Sequence, residues 1–148
     1  MTMAQLEISG FDELSAVFAR MANDMPDPVV SEALTGMAAV AAVKIRASGE
    51  AMGVRDPESD QHILDKIKVG KPKITRGGGY VDVRFAGSRK DGPSGKTSNT
   101  AIAFENEFGN RRQTPRPFVR DAMARNEDTI IRPGADTIGD WMEKEYSK

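Results

Sequence analysis

Residues 63–85 read ILDKIKVGKPKITRGGGYVDVRF. In the last six, Tyr80, Asp82 and Arg84 alternate with Val81, Val83 and Phe85, the period-two pattern of a half-buried strand. Upstream, Ile63, Ile67 and Val69 fit a helical turn that gives way to a strand. Between them RGGG (76–79) supplies a flexible turn. The stretch therefore predicts an antiparallel hairpin pairing 66–74 with 80–86. Helical patterns lie on both sides of it, with no strand–helix–strand alternation. That order predicts an α+β fold: a small antiparallel sheet packed against a long N-terminal-half helix, with further helices toward the C-terminus.

Toward the N-terminus, LEIS (6–9) alternates as a short strand would, and SGFD (9–12) resembles an acidic capping box. Phe11, Leu14, Phe18 and Met21 then recur at helical spacing, predicting a helix over 11–24. Asp27-Pro28 is a second start signal, an N-cap residue with proline in the first turn. Val30, Leu34, Met37, Ala41 and Ile45 hold one face from there to Gly49, predicting a helix over about 28–48. Its many alanines permit close approach, so it is expected to lie against the sheet.

Toward the C-terminus, residues 86–99 have almost no apolar content and predict a mobile loop that orders on assembly. Thr100 is the expected cap of a helix AIAFENEF, on which Phe104 and Phe108 share a face and are expected to fix it to the core. Gly109 is its expected left-handed stop. Thr114 or Arg116 is expected to cap the next helix, with Pro115 or Pro117 in its first turn and Phe118 and Ala122 packing inward. Pro133-Gly134 is expected to interrupt, leaving a last helix over about 135–146 that presents Ile138, Trp141 and Met142.

The chain of 148 residues suits one domain spanning 1–148. Its net charge of −1 gives no overall field toward nucleic acid or membrane, and it has no cysteine for disulfides, thiol chemistry or thiolate metal sites. No uninterrupted apolar run approaches the ~20 residues that span a bilayer. MTMAQLEIS lacks the basic-then-apolar pattern of a signal peptide, so a soluble, cytoplasmic protein with no membrane partner is expected. Charge is unevenly spread: residues 1–65 carry 4 basic and 11 acidic side chains, and residues 66–96 carry 9 and 2. Unlike patches of this kind can steer association of one subunit with the next.

Several chemical motifs fail on inspection. Gly95-Lys96-Thr97 has Lys90 where a phosphate-binding loop needs glycine, and Pro93 where that loop bends. Asp56, Glu58 and Asp60 begin like a calcium loop, but Gln61 replaces the required glycine and Ile67 the closing glutamate. His62 is the sole histidine, too few for a histidine zinc site. Glu105 and Glu107 lie two apart and point away from each other on a helix, so pairing with Arg111, Arg112 or Arg116 is expected rather than acid–base chemistry. No catalytic residue, cofactor or metal is predicted. The basic run from Lys66 to Lys96 leaves a small nucleic-acid-binding protein as the alternative, although Tyr80 and Phe85 are its only aromatics for stacking.

FENEFGNRRQTPRPFVRDAM (104–123) reads as a rigid charged corner, with Gly109 ending one helix and Pro115 and Pro117 holding the start of the next. The stretch resembles a segment of the small minor tail components of long-tailed bacteriophages, the head–tail joining or tail-completion proteins. That segment runs aromatic–x–x–Glu–aromatic–Gly, a polar loop, then Pro-x-Pro-Phe opening a helix that ends in alanine. Here it is Phe104 to Gly109, then Pro115, Pro117, Phe118 and Ala122. LEISGFDEL (6–14) and the alanine-rich second helix are also similar, so the resemblance covers most of the chain. Asn110 stands where the family has threonine, and its glycine-leucine segment survives only as HILDKIKV (62–69). The resemblance implies a non-enzymatic virion protein: a ring of identical subunits, six in number, at the head–tail interface. Its implied partners are copies of itself, the head connector or stopper, and the tail terminator or tail tube, with genome DNA passing through the lumen unrecognised. The candidate interface residues are Glu105, Glu107, Arg111, Arg112, Arg116, Arg120, Lys90 and Lys96.

Overall fold

A computed structural model describes residues 23–59, 61–76, 78–91 and 95–147. The strand and helix expected within residues 6–22 lie outside them. The architecture is α+β, with the long helix α1, Asp27–Ala51, at its centre. Pro26 precedes α1 and accepts from the amides of Val29 (2.9 Å) and Val30 (3.3 Å). Asp27, expected as the cap, instead sits in the first turn, where its charge suits the positive end of the helix dipole. Gly49 does not end the helix. It is buried where Leu64 crosses it, and a Cβ there would lie 2.5 Å from Leu64 Cδ2.

A 3-10 turn at Ile63–Lys66 leads into the predicted hairpin, built of β1 (Ile67–Val69), β2 (Lys73–Thr75), β3 (Gly78–Tyr80) and β4 (Val83–Phe85). Near its base Ile67 pairs with Phe85 and Val69 with Val83; near its tip Lys73 pairs with Tyr80. Gly70, Lys71 and Pro72 thus oppose only Val81 and Asp82, a bulge that accommodates a proline with no amide to donate. The inward residues of β1 and β4 meet Ile45, Leu64, Ile102 and Phe118 in the core cluster. Phe118 and Leu64 are fully buried, each contributing roughly 1.5–3 kcal/mol of transfer free energy.

Residues 86–99, expected as a mobile loop, contain a second hairpin, β5 (Ser88–Asp91) with β6 (Gly95–Ser98), in register from Ser88↔Ser98 to Asp91↔Gly95. Its strands have no apolar alternation to reveal them. The hairpin is anchored from outside, by Asn99, whose Nδ2 donates to Ala86 O at 2.7 Å and whose backbone amide donates to Gly87 O at 3.0 Å. Gly95-Lys96-Thr97 is therefore extended strand.

Three helices follow: α2 (Asn99–Phe108), α3 (Phe118–Arg125) and α4 (Glu127–Tyr146). Pro133-Gly134 does not interrupt α4; the break falls at Asn126, whose side chain donates back to Ala122 O at 2.8 Å. The Pro-Gly pair instead lies where α4 crosses α1. A Cβ on Gly134 would come within 2.6 Å of Met37 Sδ, and one on Gly36 within 3.1 Å of Pro133 Cβ. The two glycines let the helix backbones approach. Ile138, Trp141 and Met142 on α4 are half-buried.

By length and composition alone α1 is long and apolar enough to cross a membrane, although it holds no uninterrupted apolar run of that length. Its inward face is occupied by α3, α4 and the first hairpin, and Glu32, Arg46 and Glu50 are exposed along it.

Candidate docking surface

The candidate surface is the corner from α2 through residues 109–117 to α3. Ser98, not Thr100, caps α2, its Oγ accepting from the Ala101 amide at 3.1 Å. Thr100 is drawn away, donating its hydroxyl to Phe85 O at 3.2 Å, which ties α2 to β4. With that anchor, α2 turns Ile102, Ala103, Asn106 and Glu107 inward.

Phe104 and Phe108 consequently face out, 62% and 52% exposed, where they were expected to pin the helix to the core. Their rings touch, with centroids 4.6 Å apart. The Arg120 guanidinium lies 5.3 Å from the Phe108 centroid, within cation–π range. Phe85, Ala103 and Val119 floor a shallow depression beside these rings, and its lining is almost wholly apolar.

Gly109 ends α2 with φ 76° and ψ 176°, outside the left-handed helical well and in a region that glycine alone occupies readily. A Cβ there would also lie 2.8 Å from both Gln113 O and Pro115 Cδ. The turn that follows is closed by Asn110 and Gln113, which exchange backbone hydrogen bonds at 3.0 and 3.4 Å. Asn110 Oδ1 accepts from the Arg112 amide at 2.8 Å. Buried Asn106 holds the turn from beneath: its Oδ1 accepts from Gln113 Nε2 at 2.8 Å and its carbonyl from the Arg116 amide at 2.6 Å.

Neither Thr114 nor Arg116 caps α3. Pro117 precedes the helix and offers no side-chain oxygen. The cap comes from α2: Glu107 Oε2 accepts from the Val119 amide and Oε1 from the Arg120 amide, both at 2.9 Å. Oε1 also pairs with Arg120 Nε at 3.2 Å. A carboxylate against free amides at a helix N-terminus forms charge-assisted bonds, and the dipole adds to them. Glu107 is only 6% exposed, so little water competes. This one side chain fixes the angle between α2 and α3.

The pairing expected of Glu105 and Glu107 with Arg111, Arg112 or Arg116 is not formed; Glu107 joins Arg120 instead. Arg111 and Arg112 stand exposed on the turn, without an ion pair among the described residues. Glu105 points away from Glu107, as the spacing predicted. It lines a polar cleft of about 310 Å³ with Arg55, Arg89 and Arg116. Arg116 Nη1 donates across the cleft to Gly53 O at 3.0 Å. Lys90 and Lys96 lie directly opposite each other across the second hairpin.

Sequence reading missed the inward role of Glu107 and the clamp beside the cleft. The first had a signal: a helix opening Pro-Phe-Val has no local capping side chain and must find one elsewhere. The second had none. There Arg55 holds Glu50, at 2.6 to 3.1 Å, and Asp65, at 2.8 and 3.0 Å. Hydrogen bonding to Arg55 holds both carboxyls below their ordinary range and raises the guanidinium in turn.

Among the described residues no group of three or more His, Asp or Glu side chains could hold a metal ion. No family profile, curated protein or solved structure matches the chain.

Proposed function

We propose that this chain is a structural subunit of a tailed-phage or prophage virion. It forms an oligomeric ring at the head–tail interface and is needed for tail attachment, with no chemistry of its own. Its partners are copies of itself and the connector-side and tail-side proteins that the ring joins; it acts in the virion neck after assembly in the host cytoplasm. The observation that carries this reading is the pair Phe104 and Phe108, left in solvent on a corner whose angle is fixed by Glu107. Large apolar surface held rigidly at low entropic cost suits protein docking. The resemblance of residues 104–123 to the tail-completion segment gives that surface a destination.

Phe104→Ser with Phe108→Ser tests the reading. The double variant should melt as the wild type does, yet fail to form rings or to join heads to tails in an extract-complementation assay. A wild-type protein that stays monomeric beside both connector and tail-tube proteins would sink the reading.

A further inference from the structure

The outer face of the first hairpin carries an uncompensated charge pattern. Lys68 and Arg84 are cross-strand partners, and like charges directly opposite destabilise a sheet. Lys66 follows on the same face, opposite Ala86, which donates its amide to Lys66 O at 2.8 Å. At the other end lies Asp82, two residues before Arg84 and on the same face. All four are exposed, and none forms an ion pair among the described residues. Along the hairpin the face therefore reads negative, doubly positive, positive, in steps of about 6.6 Å.

On a different flank of α1, the exposed face of α4 reads in the opposite sense. Arg132, Asp136, Asp140 and Glu143 recur at helical spacing on one side, all exposed and unpaired among the described residues. Their order is positive, negative, negative, negative, in steps of about 4.5–6 Å. The helix packs on α1 and α3, and the hairpin on α1 and α2, so among the described residues both outer faces are free at once.

We infer that α4 of one copy docks on the first hairpin of the next, with Arg132 toward Asp82 and the acidic stripe toward Arg84, Lys68 and Lys66. The contact is heterologous: each subunit presents one face to a neighbour on either side, the arrangement that closes into a ring. It rests on the ring reading above and names a second surface that the ring needs in addition to the Phe104–Phe108 corner. A nucleic acid fits the hairpin less well, because Asp82 would confront phosphate where α4 offers Arg132. The total charge of −1 also gives a polyanion no general attraction.

Two charge-reversed proteins test the docking. One carries Asp136→Lys and Asp140→Lys; the other carries Lys68→Glu and Arg84→Glu, which keeps the cross-strand repulsion and should leave the fold unchanged. Native mass spectrometry and light scattering read the result, with thermal melts confirming folding. Each protein alone should self-associate at least about tenfold more weakly than the wild type at low salt. An equimolar mixture should regain rings of wild-type mass, since every reversed helix then meets a reversed hairpin. Wild-type assembly by either protein alone would overturn the docking and leave the ring reading intact. A mixture that stays unassembled, or forms only aggregates without the wild-type mass, also overturns it. A wild type that remains monomeric even with connector and tail-tube proteins present removes the ring itself. If the hairpin variant alone also loses salt-sensitive retention on duplex DNA, the hairpin belongs to nucleic acid instead.

Discussion

Two phenylalanine pairs lie near each other in this protein and meet opposite fates. Phe85 and Phe118 pack edge to face at 5.8 Å over Leu64, with Phe118 fully buried. Phe104 and Phe108 touch at 4.6 Å with more than half of each ring in water. Both pairs satisfy the same rule of aromatic contact. What separates them is one helix rotation, set by Thr100 reaching Phe85 O and by Glu107 reaching the α3 amides. Polar bonds decide which aromatic pair becomes core and which becomes surface.

The strongest way to break the contrast is Phe118→Ala. It should cost about 3–5 kcal/mol in chemical denaturation, because Leu64 and Gly49 cannot collapse fully into the space. Gly109→Ala should follow at about 3 kcal/mol, combining the strain of its backbone region with a clash against Gln113 O and Pro115. Glu107→Ala should cost about 2 kcal/mol by leaving two amides and Arg120 without an acceptor. It should also increase hydrogen exchange at Val119 and Arg120. Phe104→Ser with Phe108→Ser should change stability by no more than about 0.5 kcal/mol, since both rings are already solvated.

The Arg55 clamp sharpens the comparison from the electrostatic side, because Asp65 adjoins Leu64 beneath the buried pair. Glu50 and Asp65 are held below their ordinary values of 4.5 and 3.8. Carboxyls depressed in the folded state add stability above those ordinary values, and that contribution is lost as pH falls through the lowered ones. Acid titration of the wild type should therefore show a loss of stability below about pH 4.5 that Arg55→Met reduces. The effect should be small, since all three groups are near the surface.

The two pairs also measure how far the sequence could be read. The alternation of YVDVRF placed Phe85 on the inner face, and the first hairpin follows it, because period two distinguishes the faces of a strand once one face is apolar. The alanine-rich helix was equally legible. The spacing of Phe104 and Phe108 said only that they share a side of α2, and periodicity has no sign. Choosing the inner side required Asn106 and Glu107 to be recognised as buried polar residues, the first with partners on the turn and the second with partners on α3, a tertiary fact. The second hairpin was hidden for a related reason: SRKD and GKTS carry no apolar pattern, and Asn99 holds them from outside. Pro133-Gly134 misled because its role is to let α1 approach, and nothing local distinguishes that from a break.

The role proposed for the solvated aromatic pair is attachment to other protein subunits. Native mass measurement of the wild type and of the Phe104→Ser, Phe108→Ser protein, each with connector and tail-tube proteins, tests it most directly. The wild type should give a closed ring or joined complex, and the variant a folded monomer. Equal assembly by both, or by neither, would contradict it.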